Sequence, residues 1–271
     1  MKIKRVLLFA SLLPLTACSL FTPSKANRSD SDDSPFSITL KNNKTSLALS
    51  NKLDFEDPTE SLFVSSKELK NFQEFTFKDL PSADILDNEA TPYNSPRAIV
   101  TNGGEGEYYY FKYTFYVRNT GNASASYELK INLIEQISEW GYLSDTLRVM
   151  VFENDVTNIN DQNNHDYSVY AKRATNNNYD KDGYITDREF IAYSCLGGHE
   201  DDEHPLAENF RSSSVACQYG RYDMKPNDTI RYTVVFWLEG EDPQSSQTDE
   251  APDNSSLKVK IDVDAYESHY F

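Results

Sequence analysis

Apolar and polar residues alternate with a period of two along much of this chain. Between Tyr109 and Arg118, the odd positions Phe111, Tyr113, Phe115 and Val117 are apolar, while Lys112, Thr114 and Arg118 fall on the other side. Such alternation predicts a strand with one face in a core and one in water. Asn119-Thr120-Gly121-Asn122 follows, and Asn and Gly tolerate the backbone angles of a tight turn. The next stretch repeats the code, with Tyr127, Leu129, Ile131 and Leu133 inward and Glu128, Lys130 and Asn132 outward. Leu147, Val149 and Val151 predict a third strand, and Tyr167 to Lys172 a fourth. Further on, Thr229 to Leu238 and Leu257 to Ala265 read as strands. The last is the cleanest, with Leu257, Val259, Ile261 and Val263 alternating with Lys258, Lys260, Asp262 and Asp264.

Elsewhere the pattern is weaker. Ile38-Thr39-Leu40 and Leu47-Ala48-Leu49 read as short edge strands, and Lys67 to Phe77 fits a short helix or a strand equally. No long amphipathic helix separates the strands, which disfavours parallel βαβ units. Many strands, short turns and half-wet faces predict a mainly β protein, an antiparallel β-sandwich of immunoglobulin-like or jelly-roll-like architecture. Residues 38–271 are expected to form one domain, with a loop-rich insertion at 176–222. Residues 18–37 are rich in Ser, Asp, Asn and Pro and have too little apolar surface to fold, so they predict a flexible stalk.

The block from Phe111 to Gly121, with Arg231-Tyr232-Thr233-Val234-Val235-Phe236-Trp237-Leu238-Glu239-Gly240, resembles uncharacterised surface β-sandwich proteins of low-GC Gram-positive bacteria. Those are distantly similar to the TasA/camelysin group of biofilm-matrix proteins. The resemblance covers about Tyr108 to Tyr266 and rests on structural motifs. That group uses a plain signal peptide, whereas this leader has a different ending, so fibre assembly is not carried over.

The leader opens with Lys2, Lys4 and Arg5, followed by an apolar run from Val6 to Leu13 that is too short for a spanning helix. Leu15-Thr16-Ala17-Cys18 then matches the bacterial lipobox at all four positions. Resemblance to the lipoprotein family implies cleavage before Cys18 and two or three acyl chains on it, enough for stable anchoring on the extracytoplasmic face of a membrane. Removing residues 1–17 removes three cations and no acid, which takes the formal net charge from −17 to −20. So acidic a chain is unsuited to nucleic acid or anionic lipid, whose phosphates require Lys and Arg. It suits divalent cations, cationic polymers or plain solubility instead. Tyr (18) and Phe (15) far outnumber Trp (2) and Met (3), a balance that favours strands. With Cys18 acylated, Cys195 and Cys217 remain, and an even pair in an exported domain predicts a disulfide.

The strongest chemical motif is Asn178-Tyr179-Asp180-Lys181-Asp182-Gly183-Tyr184-Ile185-Thr186-Asp187-Arg188-Glu189, which resembles an EF-hand calcium loop. A hard cation takes six to eight oxygens, here from Asn178, Asp180, Asp182, the Tyr184 carbonyl, Thr186 through water, and Glu189. Asn replaces the usual Asp at the first position, and the motif occurs once. The same residues also suit a hairpin turn at Asp182-Gly183. His199-Glu200-Asp201-Asp202-Glu203-His204 is one residue too long for the zinc-protease helix, whose two imidazoles must share a face. No nucleophile elbow, phosphate loop or dinucleotide fingerprint is present. The sequence therefore points to a non-enzymatic, membrane-anchored adhesion, matrix or envelope-interaction module, with calcium as a candidate cofactor and an envelope protein or glycan as partner. A cell-envelope hydrolase with a scattered site is the alternative.

Overall fold

The computed structural model describes residues 34–42, 46–64, 74–75, 80–87, 110–136, 143–157, 166–172, 207–239 and 256–267. Their elements in chain order are β1 (Phe36–Lys41), β2 (Leu47–Ser50), β3 (Ser61–Val64), β4 (Glu74–Phe75), α1 (Ala83–Leu86), β5 (Tyr110–Asn119), β6 (Ala125–Gln136) and α2 (Leu143–Thr146), then β7 (Leu147–Asp155), β8 (Tyr167–Ala171), β9 (Glu208–Asn209), β10 (Val215–Met224), β11 (Thr229–Glu239) and β12 (Ser256–Glu267). The described protein is mainly β, as the alternation predicts, and its two helices are single turns.

The strands form two sheets. The first has the order β10-β6-β12-β1-β3. The second runs β2-β5-β11-β7-β8-β9, and β4 joins β11 at Leu238 and Glu239, just beyond the last residue that β5 pairs there. The long pairings β6–β12, β5–β11 and β7–β11 are antiparallel. Both sheets are nevertheless mixed, which corrects the expectation of a purely antiparallel fold. β1 lies parallel to β12, β4 to β11 and β8 to β9. Side-chain alternation is the same in either direction, so strand polarity leaves no trace in it.

The inner faces of both sheets share one core. Phe36 of the first sheet meets Phe111 and Tyr113 of the second, with ring centroids 4.8 and 4.9 Å apart. Leu129, Ile131, Ile261 and Val263 line the same core from β6 and β12, with Phe115, Val149, Val234 and Phe236 from the second sheet. These are the positions that the period-two reading points inward. One polar contact crosses the core: the hydroxyls of Tyr127 on β6 and Tyr232 on β11 are 2.7 Å apart, both residues fully buried. Sharing one proton-bearing contact satisfies both phenols where water cannot reach.

Three local expectations change. β1 was expected at an edge, yet it lies between β12 and β3, while β2 does end its sheet. β11 has no wet face, since every one of its residues is buried, and Lys112 and Tyr116 on the outer side of β5 are buried as well. A second apolar cluster covers that outer side, with Leu86 of α1 packed on the layer of Tyr110, Met150, Phe152, Val169, Val235 and Trp237. The segment 176–222, expected to be loop-rich, carries β9 and most of β10 in its described part. Irregular pairing between Val215 and Cys217 and between Arg221 and Met224 breaks the alternation that marks a strand.

The Asn-x-Gly turn has a clear role. Asn119 is fully buried, and its Nδ2 donates to the carbonyls of Ala123 (2.8 Å) and Met224 (2.9 Å). Its Oδ1 accepts from the Gly121 amide at 2.9 Å. One side chain thus closes its own turn and ties it to the end of β10.

Replacing Tyr232 by Phe should leave the Tyr127 hydroxyl buried without its partner and cost about 1–3 kcal/mol in denaturant unfolding. The double replacement of Tyr127 and Tyr232 by Phe should cost less than the two single changes added together. Strict additivity would show that the two hydroxyls do not support each other.

Candidate functional site

The two sheets differ in what they offer to solvent. On the outer face of the first sheet, cross-strand register sets Lys260 beside Asn132, Asp262 beside Lys130, and Asp264 beside Glu128. Lys41 on β1 reaches Asp262 (Nζ–Oδ2 2.6 Å), and the Nδ2 of Asn132 donates to the same carboxylate at 2.9 Å. The Nδ2 of Asn42 donates to Asp264 Oδ1 at 2.7 Å. These are wet, polar contacts of the kind that decorate a face without fixing it.

At one end of this face two tyrosines stand out. Tyr222 of β10 is 67% exposed and Tyr266 of β12 39%. Their rings meet edge-on, with centroids 6.4 Å apart and planes inclined by 62°. The Tyr222 ring lies back over Gly220: a Cβ there would come within 2.6 Å of its hydroxyl. Gly220 therefore serves as the floor under an exposed ring, an arrangement in which an aromatic shields the bare backbone of a strand glycine. Burial, then the neighbouring Tyr222 and Glu128, pushes the Tyr266 phenol up to about 12.

A second polar group bridges the sheets. Arg221 of β10 pairs with Glu153 (3.2 Å) and Asp155 (3.3 Å) of β7. Desolvation raises the Glu153 carboxyl above its ordinary value, while Arg221 pulls it down and Asp155 pushes it up again. Tyr219, Tyr127 and Tyr232 lie beneath, and burial holds all three phenols well above the usual tyrosine range. The group is held in place by its own contacts, and it joins the edge strand β10 to the second sheet.

A third group lies under the cover of the second sheet. Arg231 of β11 and Asn154 of β7 both donate to Asp87 Oδ2, at 2.7 and 2.9 Å, and all three are buried. The indole Nε1 of Trp237 donates to Glu239 at 2.9 Å, and Lys172 donates to Ser144 at 2.9 Å. The Asp87 contacts fasten the segment ending in α1 onto the sheet, and the Lys172 contact ties the end of β8 to α2.

Of the residues singled out in the sequence, Cys217 is described. It is buried on β10 with no disulfide partner among the described residues, and burial pushes its thiol up to about 12, so the thiol is a poor nucleophile at neutral pH. Cys195, its expected disulfide partner, lies outside the described residues, as do the lipidation residue Cys18, the whole 178–189 loop and the 199–204 acidic stretch. Among the described residues, no group of three or more His, Cys, Asp or Glu is arranged to hold a metal ion. The tyrosine pair and the Arg221 group escaped the sequence reading because register alone brings their members together. The Gly220-x-Tyr222 spacing, with both residues on one strand face, was the one local signal. No family model, curated protein or solved structure matches the chain.

Arg231→Leu should remove the charge partner of a fully buried carboxylate and cost about 3–5 kcal/mol in urea unfolding. A loss below about 1 kcal/mol would show that Asp87 does not depend on Arg231.

Proposed function

We propose that this protein is a lipid-anchored, extracytoplasmic binding module without enzymatic activity. It works in adhesion, matrix contact or envelope organisation, and it presents the outer face of the five-stranded sheet to its partner. One observation carries this reading: among the described residues an apolar cluster lies over the outer side of the central strands of the second sheet, while the outer face of the first sheet carries two exposed tyrosines, Tyr222 and Tyr266. A flat, polar face with exposed aromatics suits recognition of an extended partner better than chemistry on a small substrate, which calls for a concave pocket. The lipobox ending at Cys18 and the polar stretch that follows it support a tethered position.

Calcium belongs to the same reading as a structural cofactor. Asn178, Asp180, Asp182, the Tyr184 carbonyl, Thr186 and Glu189 would supply its oxygens, and extracellular modules of this type bind with a Kd of roughly 10⁻⁴–10⁻³ M. The predicted bridge between Cys195 and Cys217 would act alongside it to fix the segment between them.

Two experiments test this reading. Cys18→Ala should move the protein from the membrane fraction to the medium or the soluble fraction, and unchanged membrane retention would refute the lipid anchor. Thermal unfolding in millimolar calcium should give a higher Tm than in chelator, at about 2–4 °C per kcal/mol of stabilisation for a domain of this size. Glu189→Gln should abolish that difference. Equal melting in calcium and chelator would remove calcium from the reading.

A further inference from the structure

Tyr266 of β12 is the register partner of Ser126 on β6. On the other side of β6, Arg221 of β10 stands beside Tyr127 and Met224 beside Ala125, so Tyr222 and Asp223 together oppose Ser126. Two residues facing one make a bulge, where the ladder lapses. Asp223 takes a left-handed backbone there (φ 55°), and its amide donates to Ser126 Oγ at 3.1 Å. The bulge is thus pinned to the one residue that separates the two tyrosines. Tyr127 points into the core, so Ser126 points outward, and its short side chain leaves room for rings to meet above it. The backbones of Tyr222 and Tyr266 stand two strand spacings apart, about 10 Å. Their rings close that gap, with centroids 6.4 Å apart, and Gly220 holds the Tyr222 ring from below.

Phenols that touch in reach of water have a chemistry that phenols in a core lack. Each can lose one electron and one proton, and the resulting radical carries its unpaired spin on the oxygen and on the ring carbons beside it. Burial first, then the hydroxyl of Tyr222, holds the Tyr266 phenol up, so the two hydroxyls sense each other. The carbons beside them share the same gap. Exposed side chains swing between rotamers within nanoseconds, fast enough to bring those carbons together. Tyr127 and Tyr232 also meet at their hydroxyls, but both are fully buried, out of reach of an oxidant in water. Among the described residues, Tyr222 and Tyr266 are the exposed tyrosines.

We propose that Tyr222 and Tyr266 form an oxidative cross-linking site, joined as dityrosine by hydrogen peroxide acting through a one-electron oxidant of the peroxidase type. Each phenol gives up one electron and one proton. A carbon–carbon bond forms between the ring positions next to the two hydroxyls, and the hydrogens on those carbons move to the phenol oxygens. One peroxide takes up the two electrons and two protons and leaves as two waters. The product ties β10 to β12 across β6 and fastens the edge strand at its bulge. It also closes a loop from residue 222 to residue 266, which restricts the unfolded chain as a disulfide does. This modification is independent of the binding role above and adds to it.

Treating the full mature chain, dilute in detergent, with hydrogen peroxide and a haem peroxidase tests the proposal. The monomer should lose two hydrogens in mass, gain the blue fluorescence of dityrosine, and yield a linked peptide pair containing Tyr222 and Tyr266. Its melting temperature should rise by about 5 °C or more. Tyr222→Phe and Tyr266→Phe each remove one exposed hydroxyl, so both variants should fold as before. Each should lose the internal product and the gain in melting temperature, and each controls for oxidation at methionine or cysteine. Internal coupling that persists in either variant, or a linked pair at other tyrosines, would overturn the proposal. So would a product found only between molecules, or no coupling at all.

Discussion

The central strand β11 has no residue facing water, and the arrangement of the rest follows from that constraint. Its inner side, from Ile230 to Leu238, can be buried only against a second sheet, and Phe36, Tyr127 and their neighbours supply it. Its outer side carries Arg231, Thr233, Val235, Trp237 and Glu239, a mixture that neither water nor an apolar layer would satisfy alone. The cover must therefore be part apolar and part ionic. Leu86 answers Val235 and Trp237, and Asp87, the next residue, answers Arg231. A buried ion pair adds little net stability, but it penalises every misplacement of the segment that contains it. Asp87 thus fixes where the cover sits, while Leu86 provides the burial.

This balance also explains what could be read from the sequence. The inner face was legible because it is conventional: Leu129, Ile131, Leu133, Val259, Ile261 and Val263 alternate cleanly and point inward. The outer face of the second sheet was not, because Lys112, Arg148 and Arg231 look like solvent residues and are buried all the same. Their charges gave the strands an apparently wet side. β10 was missed for a different reason, since its bulges and Gly220 erase the period that identifies a strand. Strand direction was beyond reach throughout, and the parallel partnership of β1 with β12 is its most consequential case.

The candidate site was less legible than the fold. Tyr222 and Tyr266 come from two strands that flank β6, so only register brings their rings together. The motifs that did announce chemistry, around Cys18 and in the 178–189 loop, are local in sequence and lie outside the described residues. Local chemistry is written in spacing, whereas a surface made by a sheet is written in topology.

The parallel pairing of β1 and β12 also bears on mechanics. The chain enters β1 at Phe36, beside Val259, and β1 runs toward Lys41, beside Asp264 and the tyrosine end of the sheet. A pull applied through the residues before Phe36, against a load held near Tyr266, therefore acts along β1. The hydrogen bonds from Phe36 to Lys41 are then strained together in shear, not opened one after another like a zipper. Forced unfolding is governed by the rate of the first rupture, and a strand loaded in shear resists that rupture more than one that is peeled. The neighbour on its other side, β3, pairs along the same residues from Phe36 to Thr39 and adds its bonds to the same front. The strand is thus held on both sides and, under such a pull, loaded along its length.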